Sequence, residues 1–168
     1  MRDLSPAALR ELAADIELEL SRLQHLEHEI ARVSQAIANT PAQADLLYES
    51  LALKLHNFYT GCEKVLQLIA TELNGGLPNG SDWHKRLLDR MSTDREGRPA
   101  VLRSTTAEQL RPFLGFRHIV RYLYGFELEG DRIAQLVVHY PAVWQQVGSD
   151  YIAFVAWLRQ LAQQLESV

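Results

Sequence analysis

Between Arg117 and Tyr124, eight consecutive positions hold two arginines, a histidine and two tyrosines. On a helix their spacing sorts them. Arg117, Arg121 and Tyr124 share one stripe at i, i+4 and i+7, and His118 and Tyr122 share an adjacent stripe at i and i+4. Ile119, Val120 and Leu123 face another way, toward a core. One helix thereby offers two guanidinium forks beside an imidazole and two phenols. A planar, permanently charged fork matches phosphate oxygens, and an imidazole moves a proton near neutral pH. Together they form the set needed for metal-free cleavage of RNA. A base takes the 2′-hydroxyl proton, the oxygen attacks phosphorus, and arginine stabilises the charge that builds on the phosphoryl oxygens. The same residues also fit an ordinary amphipathic helix, with the arginines in solvent and the tyrosines half-buried along their stems. If the site assignment holds, Arg117→Ala is expected to abolish cleavage while leaving the fold intact.

The elements that must position this helix are legible as helices. Ser5 and Pro6 open one that runs over 6–38, with Leu9, Ile16, Leu23, Ile30 and Ile37 recurring every seven residues. Leu12, Leu26 and Val33 interleave, and Glu19 interrupts that second series. The seam is about 50 Å long. It exceeds what the shorter helices cover, which favours a second chain.

Thr40, Pro41 and Gln43 read as a capping box for a second helix that ends near Leu73 at Asn74-Gly75-Gly76. Its apolar stripe is Leu47, Leu51, Leu55, Phe58, Cys62, Val65, Ile69 and Leu73. Two long helices joined by so short a turn are antiparallel neighbours. Ser81 or Asp82 caps a short helix through Met91. Thr105 and Glu108 open the helix that carries the arginines, which runs to Tyr124 with Pro112 bending it. Gly130-Asp131 starts a short helix to Tyr140, Pro141 breaks or bends the chain, and a last helix ends near Glu166. Its inward residues are Val147, Tyr151, Phe154, Val155, Leu158, Leu161 and Leu165. No strand alternation or internal repeat is present. The expected architecture is all-α: one domain over 1–168, an up-and-down bundle of four main helices with short helical insertions.

Composition narrows the function classes. The net charge of −4 argues against coating nucleic acid through bulk positive charge, though not against a local basic site. A lone cysteine, Cys62, forms no internal disulfide and no thiolate metal cluster, and lies on the apolar stripe as an inert buried thiol. His25 and His28 with Glu29 lie on a solvated face without a third histidine at a recognisable spacing. No metal and no cofactor is expected. The longest apolar run, Tyr151 to Leu158, is too short to span a bilayer, and the N-terminus has no signal core, so a cytoplasmic location is expected. The segment 74–80 is glycine-rich but is not a phosphate loop. His84 reads first as packing against the bundle and second as a cleft residue. Trp144 and Trp157 read as core or dimer contacts.

The string from Phe116 to Leu128 resembles the motif helix of HepT-like toxins, members of the HEPN superfamily, which carry Arg-x4-His-x-Tyr. Asn57 to Lys64 is similar to the family's second helix. Gly75-Gly76-Leu77-Pro78 with Trp83-His84, and Arg98 to Leu102, also match, so that the likeness covers roughly residues 45–165. It implies a HEPN-type bundle that forms a homodimer, with the two motif helices facing across a cleft. It implies metal-free ribonuclease activity on an RNA substrate, with Arg117, His118 and Tyr122 catalytic and Arg117 and Arg121 on phosphate. It also implies a partner, a minimal nucleotidyltransferase antitoxin that adds AMP to Tyr124. The added bulk and negative charge beside Arg117 and Arg121 would block an RNA phosphate.

One position departs from the pattern: the motif histidine is Tyr122. A phenol titrates near pH 10 and is a poor base at pH 7, although it can donate a hydrogen bond or act as an acid. Two outcomes stand open. His118 supplies the base one helical turn earlier, or the chain is a catalytically weakened or inactive HEPN-type module that binds RNA or a nucleotidyltransferase.

Overall fold

A computed structural model describes residues 4–122 and 130–167; for Arg121 and Tyr122 it describes the helical backbone alone. The five helices are α1 (Pro6–Asn39), α2 (Ala44–Leu73), α3 (Trp83–Met91), α4 (Ser104–Tyr122) and α5 (Gly130–Glu166). Among the described residues there is no strand; Arg95 and Arg98 form an isolated bridge. The fold is an all-α helical bundle.

α1 starts as its sequence dictates. The Ser5 hydroxyl accepts from the Ala8 amide at 3.1 Å, and Pro6 sits where no intrahelical N–H is needed. Leu9, Ile16, Leu23 and Ile30 are all buried, as are Leu12 and Val33. Glu19, the interruption in the seam, is also buried. Arg22 and Lys64 each reach its Oε1 at 2.5 Å, so the carboxylate enters the seam with two cations. The seam is covered within the chain by two long helices, α2 and α5. It therefore gives no independent sign of a second copy.

Cross-links fix the directions. Lys64 on Glu19 and Lys54 near Glu29 run α1 antiparallel to α2. Arg10 on Glu166, Arg159 on Glu17 and Trp144 on Glu27 run it antiparallel to α5. Arg103 on Asp150, with Phe113 beside Leu136 and Val143, runs α4 antiparallel to α5. The four long helices thus alternate up and down.

Three local readings are corrected. Thr40 does not cap α2. Its hydroxyl bonds back to the Ala36 carbonyl at 2.6 Å and closes α1, while Pro41–Gln43 form a 3-10 turn into α2. Pro141 does not end a helix; it lies inside a single α5 of 37 residues. Pro141 is exposed, so the carbonyl that loses its partner one turn earlier is on the outer side, where water can reach it. Leu165 is 44% exposed rather than inward.

α2 is the central helix, touching every other one, and a single stripe cannot serve four neighbours. Beyond the expected residues it buries a second face: Ala52, Tyr59, Glu63, Leu66 and Ala70. Phe58 meets Phe113 of α4 and Tyr140 and Trp144 of α5 edge-on, with ring centroids 5.3, 4.9 and 6.3 Å away. Burying a side chain of this size contributes roughly 1.5–3 kcal/mol. The Tyr151 hydroxyl donates to the Cys62 carbonyl at 2.8 Å, tying α5 to the middle of α2.

The loops around α3 are set by Arg98, which is 4% exposed. Its Nε donates to Asn74 Oδ1 at 2.8 Å, one terminal nitrogen to the Pro99 carbonyl at 2.9 Å and the other to the Arg90 carbonyl at 3.2 Å. One guanidinium so binds the end of α2, the end of α3 and the loop into α4. Gly75, at φ +73°, makes the left-handed turn that ends α2. These ties fix where α3 places His84.

Candidate active site

A cleft of about 600 Å³ opens between α3 and α4, lined by His84 and Lys85 from α3 and by Arg111, Arg117 and His118 from α4, among others. Behind His84 and Arg117 lies the second buried face of α2. Glu63 there is 2% exposed, and its Oε2 lies 2.7 Å from His84 Nδ1. Gln67 Nε2 donates to Oε1 at 3.3 Å. An ionised carboxylate only accepts, so the hydrogen of this contact sits on Nδ1. The other ring nitrogen, Nε2, is the one that bears the lone pair whenever the ring is neutral.

Arg117 is not on an outer stripe. It is 8% exposed, and α4 turns Leu110, Phe113, Phe116 and Arg117 inward, leaving Ile119 and Val120 half-buried. One terminal nitrogen lies 3.7 Å from Glu63 Oε1. The other is 3.4 Å from both His84 ring nitrogens. A position equidistant from the two would collide with the Cε1 hydrogen if it lay in the ring plane, so the guanidinium sits over the ring face. Trp83 lies against the same imidazole, with centroids 3.6 Å apart and planes tilted by 30°. The ring is thus held between an indole and a guanidinium, with its edge fixed by a carboxylate.

Tyr59, one turn before Glu63 on the same face, is buried, and burial with the Glu63 charge keeps its phenol neutral far above the usual range. Burial likewise pushes the Cys62 thiol well up, which makes it an unreactive core group.

The residues expected to carry chemistry are only partly brought together. Arg117 and His118 both line the cleft, His118 from its exposed rim. The side chains of Arg121 and Tyr122 lie outside the described residues, as does Tyr124 altogether. His84 is both a packing residue and a cleft residue. Glu63 was missed, because beside Lys64 it reads as a surface acid. The signal that would have found it is the spacing Tyr59, Glu63, Leu66 and Ala70, a second helical stripe with an acid in an apolar row. His25 and His28 are exposed on α1. Among the described residues, no three His, Cys, Asp or Glu side chains converge as metal ligands, and no helix is long and apolar enough to cross a membrane.

A family model described as HepT-like protein matches residues 50–158, more than half of the chain. The chain belongs to the HepT-like family. The match spans Glu63, His84 and Arg117, whereas α1 lies outside it. Membership places this HepT-like bundle in the HEPN superfamily and gives the coarse expectation of a toxin-type function. Searches of curated proteins and of solved structures return no match to it.

Proposed function

We propose that this HepT-like chain is a ribonuclease toxin that cleaves RNA without a metal, in the cleft between α3 and α4. One observation carries the reading: an arginine nine-tenths buried at a cleft, with the His84 imidazole against it and His118 on the same cleft. Arg117 brings five N–H donors, and its Nε has no acceptor among the described residues. A phosphate entering the cleft would meet this fixed guanidinium, with Lys85 on the α3 wall and Arg111, paired with Asp89, on the α4 wall. The chain acts as a homodimer in which two motif helices face each other. It is silenced by a nucleotidyltransferase antitoxin that adds AMP to Tyr124, read from the register of the motif. Tyr122 at the motif histidine favours a second reading, a HEPN-type module with weakened or lost catalysis that binds RNA or the nucleotidyltransferase.

The test is induction of the chain in a bacterial host, with growth and total RNA followed together, beside Arg117→Lys. Lysine keeps a positive charge next to Glu63 but loses the fork. Growth arrest with RNA cleavage, both relieved by Arg117→Lys, supports the ribonuclease. Normal growth and intact RNA with soluble, folded protein moves the assignment to the binding module.

A further inference from the structure

We propose that the general base of this chain is His84, positioned by Glu63, and that no imidazole of the motif helix is needed; this rests on the ribonuclease reading above. The departure at Tyr122 removes the motif base, and a replacement must satisfy three conditions: a ring nitrogen turned away from the carboxylate, an orientation fixed before substrate arrives, and a phosphate-binding group alongside. His84 meets all three. Its Nδ1–H is committed to a carboxylate that is 2% exposed, which sets the tautomer and leaves Nε2 as the basic atom. Trp83 and Arg117 cover its faces, so the ring cannot rotate away. Its side chain is 21% exposed and lines the cleft, whereas Glu63 behind it is closed to solvent. Arg117 lies 3.4 Å from Nε2, so a phosphate held by that guanidinium brings its neighbouring 2′-hydroxyl within reach of the base.

In the step itself, Nε2 takes the 2′-hydroxyl proton as the bond from that oxygen to phosphorus forms. The bond from phosphorus to the 5′-oxygen breaks, and the 5′-oxygen takes a proton from water. The products are a 2′,3′-cyclic phosphate and a 5′-hydroxyl. Arg117 stabilises the charge on the phosphoryl oxygens. Glu63 is a positioning residue that acts through His84.

The experiment compares the parent chain, His84→Ala and Glu63→Gln on total cellular RNA in EDTA, with fold checked by circular dichroism. Nitrogen-15 spectra of histidine-labelled protein report the tautomer. Loss of general-base action lowers the rate roughly 10²–10⁴-fold. That loss is expected for His84→Ala, with partial recovery on adding imidazole. The parent should show an unprotonated Nε2 on His84, and Glu63→Gln should lose that preference together with rate. If the parent cleaves RNA and His84→Ala cleaves equally well, His84 is not the base, although the ribonuclease reading survives. A neutral His84 protonated on Nε2 in the parent has the same meaning and needs no variant to fold. A parent that cuts no RNA overturns both readings.

Discussion

Removing Arg117 should destabilise the fold, and the pairing with Glu63 says by how much. In Arg117→Ala a carboxylate that is 2% exposed loses its cation. Breaking a buried ion pair by deleting one partner costs about 3–5 kcal/mol. Two features lower that figure here. The contact is 3.7 Å, looser than a direct charge-assisted bond, and Glu63 keeps His84 at 2.7 Å and Gln67 at 3.3 Å. The expected loss is therefore about 2–3 kcal/mol. Glu63→Leu strands the guanidinium instead and should cost a similar amount. Replacing both, Glu63→Leu with Arg117→Met, leaves neither charge stranded, and because His84 and Gln67 still lose their acceptor the double variant should stay below the parent while losing clearly less than the sum of the two single variants. Urea unfolding of the four proteins measures this, as midpoints shifted at constant slope, by roughly 1 M for each single variant. Single variants that unfold at the parent's urea concentration, or a double variant that simply sums them, would refute the pairing. The same reasoning makes Arg117→Ala a poor probe of toxicity, since instability alone would silence it.

Cys62, fully buried with its thiol pushed well up, should resist iodoacetamide in the native protein and react fully in urea, as read by mass spectrometry. Phe58→Ala empties the junction of α2, α4 and α5 and should cost about 3–5 kcal/mol by the same unfolding assay. The Arg10 fork holds the Glu166 carboxyl below the ordinary 4.5. A lowered folded-state value means that the contribution is present above the unfolded pKa and is lost as pH falls through the folded one. Protection from hydrogen exchange, taken relative to the intrinsic rate at each pH, should therefore fall at the start of α1 and the end of α5 on acidification below pH 4.5, and Arg10→Gln should abolish the difference. Replacing Arg98 by Met should loosen α3 and its flanking loops, seen as faster exchange at Asn74 and Val101, because three carbonyl or amide acceptors lose one shared donor.

The long helices were legible where periodicity and punctuation agree, as in α1, with its seven-residue seam and the Ser5-Pro6 start. Pro141 misled because its cost depends on which side of the helix it occupies, and a single sequence does not show that side. Thr40 misled because a threonine between two helices can bond forward or backward with equal local chemistry. In the candidate site, Arg117 and His118 were legible from their crowding in a short stretch, but the burial of Arg117 was not. A stripe assigned by spacing alone has no sign, and the side facing inward is chosen by the partner on α2. Glu63 stayed hidden because an acid beside a lysine is ordinary on a surface and becomes exceptional only when two other helices close over it.

The Glu63–Arg117 pairing also shapes how such a molecule can diverge. Each charge makes the other tolerable in a closed setting, so a single replacement at either position strands a buried charge, which the joint replacement avoids. The two positions should behave as one heritable character. Lineages that retain the chemistry keep both charges, lineages that abandon it lose both, and chains carrying only one should be scarce among relatives.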